Sequence, residues 1–286
     1  MKILVTGATG FIGRNLIKAM SQSCEIHILV RPSTDYSFLG ICHAFVFDDD
    51  IIKLGNYMKR NQIDGVIHLA SLYIAEHNPN QIKDIVLSNI YLGTALMEAC
   101  KMAGTRWFLN TGTIWQNYNV KDESDTYCPV NLYAATKQSF ITMAKYYTET
   151  SDIRFCTLKL CDTYGPDDTR RKIFALFEDI AKTGKELDMS PGGQCIDIIH
   201  VDDVVTGFIH LADMLQKGDT NRQEYVLSSG NRIPLKKLAE LYSQRKNVKL
   251  NINWGGRPYR QREVMMPYKG HILDGWEPKI KSFTII

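Results

Sequence analysis

In the segment LYAATKQ, Tyr133 and Lys137 stand four residues apart, which puts them on one face of a helix. A tyrosine with a pKa of about 10 is a poor proton donor or acceptor near neutrality. A neighbouring ammonium stabilises the tyrosinate and lowers that pKa toward the working range. The pair therefore reads as an acid/base centre, with Tyr133 moving the proton and Lys137 tuning it. Tyr-xxx-Lys alone occurs often by chance, and its position is what gives it weight here. It opens the helix after the fifth expected strand, and that strand runs into NTGT. Thr111 or Thr113 would then offer a hydroxyl above the same sheet edge to hold a substrate oxygen; Thr113 is preferred.

A second group of residues suits a phosphate. The chain opens MKILVTGATGFIGRNL, with Gly7, Gly10 and Gly13 on the join between an apolar run and a helical pattern. A helix begins with unpaired N–H groups and a partial positive charge, so a diphosphate fits there if no side chain blocks it. Gly7 permits the tight turn, Gly10 lets the pyrophosphate reach the backbone, and Gly13 lets the helix pack on the strand. Cofactor contacts are expected at Gly7, Gly10, Phe11, Ile12 and Gly13. An acidic residue after the second strand would bind the ribose 2′-OH of NAD. Arg31 stands there instead, and an arginine can hold a 2′-phosphate. NADP(H) is expected ahead of NAD.

The elements that position these residues alternate. Lys2–Thr6, Glu25–Val30, His43–Phe47, Gly65–Ala70, Arg106–Thr111 and Arg154–Leu160 read as strands, and the stretches between them as helices. Continuous apolar strands separated by helices predict a parallel sheet covered on both faces. The expected fold is α/β, a doubly wound Rossmann sheet with a small C-terminal α/β substrate lobe. The dinucleotide domain would span 1–160, with a returning βα unit near 197–216; residues 161–196 and 217–286 would form the lobe. For 286 residues this is one large domain or two coupled ones. A net charge of +3 points to no nucleic-acid surface. No stretch approaches the roughly 18 apolar residues of a membrane span. The seven cysteines show no CxxC pair and no clustering with histidine, so buried thiols in a reducing, cytoplasmic compartment are expected and no metal is.

Taken together, Gly7-xx-Gly10-xx-Gly13, DGVIHLA (64–70), NIYLGTALMEAC (89–100), Thr113, Tyr133-xxx-Lys137 and YGP (164–166) resemble the extended short-chain dehydrogenase/reductase family in its nucleotide-sugar branch, over nearly the whole chain. The resemblance implies that Thr113 binds a sugar hydroxyl or keto oxygen, Tyr133 is the acid/base and Lys137 holds the nicotinamide ribose. It implies that the segment His68–Ala70 lines the cofactor, with contacts at Leu69 and Ala70, that Asp48 lies near the adenine, and that Thr113, Trp115, Asp162 and Arg260 meet the substrate, a nucleotide sugar. A homodimer is implied by the same fold analogy.

The branch holds several reactions. Its dehydratases resemble one another in an Asp-Glu pair straight after the catalytic threonine; here Ile114 and Trp115 follow Thr113. Its 3,5-epimerase/reductases use a cysteine where Trp115 stands. Its 4-epimerases reuse bound NAD, against which Arg31 argues. A 4-ketoreductase needs only hydride, the Tyr–Lys pair and the hydroxyl. RQREVMMPYKGHILDGWEPKI (260–280), FLNTGT and QCIDIIHVDDVV are similar to the CDP-abequose and CDP-paratose synthase group, 4-ketoreductases of O-antigen sugar biosynthesis. That group usually has arginine before the aspartate of QCIDII, where it meets the diphosphate. Ile196 stands there, which leaves Arg257, Arg260 or Arg262 for that role. The expected function is NADPH-dependent reduction of a 4-keto nucleotide sugar. The alternatives are a 4-epimerase with tightly bound NAD and a dinucleotide-binding regulator without turnover; a regulator would need none of Thr113, Tyr133 and Lys137.

Overall fold

In a computed structural model that describes residues 1–40 and 42–280, the chain starts β1 (Lys2–Thr6), α1 (Phe11–Met20), β2 (Glu25–Val30), β3 (His43–Val46), α2 (Ile51–Asn61) and β4 (Gly65–His68). It continues through α3 (Ile82–Val86), a π-helical turn at Leu87–Tyr91, α4 (Leu92–Ala103), β5 (Trp107–Thr113), α5 (Leu132–Thr150) and β6 (Arg154–Leu160). The rest is β7 (Asp162–Tyr164), α6 (Ile173–Thr183), β8 (Leu187–Met189), β9 (Cys195–His200), α7 (Val201–Lys217), β10 (Glu224–Leu227), β11 (Arg232–Pro234), α8 (Leu235–Lys246) and β12 (Ile252–Trp254).

Seven strands form one sheet in the order β10-β6-β5-β4-β1-β2-β3, and every pairing in it is parallel. This is the doubly wound Rossmann architecture read from the sequence, and the direction of winding reverses between β1 and β4, where such sheets bind ligands. Side chains alternate between two cores. Ile3, Val5, Ile67 and Leu109 face α1 and α7; Leu4, Val66 and Phe108 face α2, α4 and α5.

The seventh strand differs from expectation. Asp197–Val201 does not return to the main sheet: β9 pairs with β7 and β11 in a separate three-stranded sheet. Having left β6, the chain enters β7, which takes β9 as its parallel partner; α7 alone folds back, onto α1, β5 and β6. The place beside β6 goes to β10, inside the stretch assigned to the lobe. The C-terminal segment also returns there. Val226 donates to the His271 carbonyl and accepts from the Leu273 amide, and Asp203 accepts from the Lys279 and Ile280 amides. Residues 281–286 of the expected lobe lie outside the described residues.

The lobe has its own core of Tyr164, Phe177, Ile198, Leu238 and Tyr242 under α6 and α8, with β8 and β12 as a two-stranded sheet. The buried Asp197 carboxylate accepts from the Ser228 hydroxyl at 2.5 Å and from the Ser229 amide at 3.0 Å. That ties β9 to the turn after β10, and so the lobe to the main sheet.

Candidate active site

The glycine turn follows from sterics. Gly7 has φ +69°, and a Cβ there would lie 2.7 Å from the Ala70 amide nitrogen. At Gly13 a Cβ would lie 2.2 Å from the Gly7 carbonyl oxygen, so only glycine lets α1 press against the turn. Gly10 is different: its Cβ would meet only the Gly7 oxygen, at 3.2 Å, and otherwise points into open space. Gly10 is the N-cap of α1 with no side-chain cap, and the first turn carries no acidic residue. The free amides of that turn therefore face an open, positively polarised space suited to a phosphate. β4 ends at His68, two residues earlier than expected. This leaves Leu69 and Ala70 in the turn beside the glycines, where their amides bond to the Thr6 carbonyl at 3.2 Å and to Thr6 Oγ1 at 3.2 Å.

Arg31 lies exposed just past β2, on the same sheet edge. Asp48 follows β3 and pairs with Lys53 Nζ at 3.0 Å, which holds its carboxyl below the usual range.

Tyr133 and Lys137 occupy the first turns of α5. Asn131 caps that helix through the Ala134 amide at 3.0 Å, while its Nδ2 donates to the Ala75 carbonyl at 2.8 Å. The loop after β4 is fastened by Asn89 in the π-helical turn. Its Oδ1 accepts from the Leu72 amide and the Ser71 hydroxyl, and its Nδ2 donates to the Leu72 carbonyl and Thr136 Oγ1. Ser71 in turn is hydrogen-bonded to Tyr133.

The titration of the pair runs against the sequence expectation. Burial pushes the Tyr133 phenol up to about 12, with the Ser71 hydrogen bond pulling the other way. Burial also lowers Lys137 to about 8. Desolvation thus dominates both groups, and Lys137 does not draw Tyr133 down. Burial thus favours the protonated phenol of Tyr133. Lys137 Nζ is fully buried and without a hydrogen-bond partner among the described residues, which leaves its donors for a ligand.

Thr113 ends β5 and is 9% exposed. Its Oγ1 accepts from the Trp115 amide at 3.3 Å, so its own proton remains to donate. The Thr111 hydroxyl is buried and has no hydrogen-bond partner among the described residues. Ile114 and Trp115 come next and line a cavity of roughly 1380 Å³ with Asp162 and Arg260. Asp162 pairs with Lys172 at 3.4 Å, and Arg260 with Glu76 at 2.9 Å. Ile196 lines the same cavity, as do Arg257 and Arg262.

Sequence reasoning missed Tyr73. Its ring stands edge-on to Tyr133 with centroids 5.1 Å apart, tilts against Trp115 at 5.7 Å, and lies under Lys172 Nζ at 4.3 Å. Tyr73 lines the cavity and touches Tyr133, which, like Thr113 and Lys137, is not itself among the lining residues. Tyr73 belongs to no spacing motif; the only signal was its loop, which follows a strand ending at this sheet edge. Missed too was the strap from Gly165 to Arg170. Arg170 stacks on the Phe11 ring at 4.4 Å, and Arg14 donates to the Asp167 carbonyl. The strap lines the cavity on one side and leans on the glycine turn on the other.

A family model described as NAD dependent epimerase/dehydratase family matches residues 3–227. The chain belongs to that family. These are the extended short-chain dehydrogenase/reductase enzymes that the sequence resembles. CDP-abequose synthase of Salmonella muenchen is 27% identical over 267 residues, covering 92% of this chain and 87% of that protein. CDP-abequose synthase of Yersinia pseudotuberculosis is 24% identical, covering 99% of this chain and 98% of its own. Among solved structures, MoeE5 in complex with UDP-glucuronic acid and NAD superposes with a TM-score of 0.83 at 20% identity, covering 100% of this chain and 97% of that one. UDP-glucose 4-epimerase from Thermotoga maritima, with UDP-glucose, also gives 0.83 at 20% identity, covering 100% and 96%. At these identities the structures establish the fold. Among the described residues no helix is long and apolar enough to cross a membrane.

Proposed function

We propose that the protein reduces the 4-keto group of a nucleotide-linked deoxysugar with NADPH. The observation that carries this reading is the pair that follows Thr113: Ile114 and Trp115 offer no acid or base, while Tyr133 and Lys137 stand ready on α5. A ketone that accepts hydride must also receive a proton on its oxygen, and Tyr133, held at about 12, is loaded for that direction. Beside the Thr113 hydroxyl, Ile114 and Trp115 supply no acid or base for elimination or 3,5-epimerisation. The relatives named CDP-abequose synthase favour a CDP-linked 4-keto sugar of the kind used in cell-surface polysaccharide.

The residues fit a nicotinamide dinucleotide. Gly7, Gly10, Phe11, Ile12 and Gly13 would hold the pyrophosphate, Leu69 and Ala70 the face beside them, and Lys137 the nicotinamide ribose through its free donors. When bound, the cofactor supplies the hydride. Tyr133 donates the proton, Thr113 orients the keto oxygen, and Tyr73 with Trp115 keeps water from the reacting face. Asp162 and Lys172 close the cavity near the sugar. With Ile196 where an arginine would meet the diphosphate, the C-terminal segment takes over that role. Arg257 makes no side-chain bond among the described residues, and the Arg260–Glu76 pair is exposed, so a phosphate displaces it at little cost. The seven thiols are all free, which supports a reducing cytoplasm. A homodimer would pack through the exposed Met102, Met143 and Tyr146 on α4 and α5.

Incubation with 4-deuterated NADPH and 4-keto nucleotide sugars tests the reaction. Deuterium is expected at C4 of the product, with one cofactor consumed per alcohol formed. Epimerisation of a saturated nucleotide hexose without added cofactor would put the epimerase reading in its place, and dinucleotide binding with no turnover of either kind would leave a regulator.

Cofactor choice has its own test. With Arg31 where an acid would bind the NAD ribose, Arg31→Asp is expected to weaken NADPH binding by about tenfold or more, about 1.4 kcal/mol, and to spare NADH. Equal affinity of the unaltered protein for the two cofactors overturns the preference.

A further inference from the structure

The face of the main sheet beneath α5 is apolar up to one row. Leu4, Val66, Phe108 and Phe155 lie side by side across β1, β4, β5 and β6. Two residues further along the same strands, and so on the same face, the row reads Thr6, His68, Asn110 and Thr157, again in register. All four are 0% exposed. A polar row at this depth has to be hydrogen-bonded, and its bonds can be followed atom by atom.

Thr6 Oγ1 accepts from the Ala70 amide and shares a 2.7 Å hydrogen bond with His68 Nδ1. In the Nε2–H tautomer Thr6 donates that bond and Nε2 is left as a donor. From the other end, Asn110 Nδ2 donates to Thr157 Oγ1 at 3.1 Å, which leaves Oδ1 as an acceptor. In this row and on the helix above it, His68 Nε2, Asn110 Oδ1 and Lys137 Nζ are buried and lack partners among the described residues. His68 and Asn110 are direct cross-strand neighbours. The His68 ring packs 5.7 Å from Phe140, three residues along α5 from Lys137, and the Lys137 charge acts on the imidazole. Two donors and one acceptor are left, a set that is complementary to one water molecule and leaves that water one further proton to donate.

We propose that a buried water is held beneath Lys137, accepting from His68 Nε2–H and Lys137 Nζ and donating to Asn110 Oδ1. His68 and Asn110 are then positioning residues for Lys137. On the function proposed above, the lysine divides its three donors between the nicotinamide ribose on the cleft side and this water on the sheet side. The ammonium is thereby anchored from below, in a place where burial works against its charge.

A crystal structure of the full chain with NADPH, at a resolution that shows ordered solvent, tests the site directly. One water within hydrogen-bond distance of all three atoms is expected. A direct His68–Asn110 bond, or a dry contact between the three side chains, overturns the proposal. Kinetics test the positioning role. Asn110→Leu removes the acceptor at similar volume and is expected to raise the NADPH KM about tenfold, because Lys137 holds the nicotinamide ribose, whereas Asn110→Asp keeps an oxygen in place and should recover most of the loss. Equal loss in the two variants, or none in Asn110→Leu, would mean that the row serves packing only. Should Asn110→Leu not fold, the crystallographic arm still decides. If no 4-keto sugar is turned over, the proposed function fails while the water site remains to be read from the density.

Discussion

Tyr133→Phe is expected to lose 10²–10⁴-fold in kcat, roughly the contribution of a positioned general acid, while binding NADPH as the unaltered protein does. Only the hydroxyl is removed. The ring keeps its edge-on contact with Tyr73 at 5.1 Å, and α5 keeps its Asn131 cap, so the cavity wall and the helix stand. What disappears is the proton that the keto oxygen must receive. Phenylalanine also breaks the bond to Ser71, but Ser71 and the adjoining Leu72 stay fastened by Asn89, so the loop does not come adrift. Because Tyr133 stays protonated across the neutral range, the deficit should hold as pH is lowered from neutral; no pH in that range restores a donor the variant lacks. Steady-state kinetics with a 4-keto nucleotide sugar and a fluorescence titration with NADPH measure the two quantities separately. A variant with kcat near that of the unaltered protein would remove Tyr133 from the acid role.

The parts of this site that were readable from sequence are those set by short-range constraints. The glycine turn is one, because a positive φ at Gly7 and a Cβ 2.2 Å from a carbonyl at Gly13 admit almost no other residue. The strands are another, because a parallel sheet covered on both faces needs continuous apolar runs. The destination of β9 and β10 was not readable. Two short apolar strands carry no label for which neighbour they pair with, and the choice rests on β7 and on the Asp197 bonds to Ser228 and Ser229, contacts distant in the chain. Tyr73 was hidden for the same reason: its role comes from Tyr133, Trp115 and Lys172, which arrive from three other elements. The direction of the Tyr133 shift was misjudged because spacing reports a nearby charge but not burial, and burial dominates here. The polar row under α5 needs strand register to be seen at all.

Gly10→Val is expected to fold and to lose dinucleotide binding. The three glycines look alike in sequence, yet their surroundings differ. A side chain at Gly7 or Gly13 collides with backbone, at Ala70 or at the Gly7 carbonyl, so substitution there breaks the turn itself. At Gly10 the backbone is extended, with φ −74° and ψ 171°, a conformation valine adopts readily. Its Cβ meets only the Gly7 oxygen, at 3.2 Å, and the two methyls beyond it project into the open space over the α1 amides. The cost to the cofactor-free fold should stay near 1 kcal/mol, the scale of a poor N-cap residue and a slightly tight contact. The pyrophosphate, by contrast, can no longer reach the amides of the first turn and loses the positive end of the helix as well. The dissociation constant for NADPH or NADH should rise on the order of 100-fold, about 2.7 kcal/mol. Thermal unfolding without cofactor, followed by calorimetric titration, separates the two effects. Undiminished binding by a folded Gly10→Val protein would place the phosphates somewhere other than this turn.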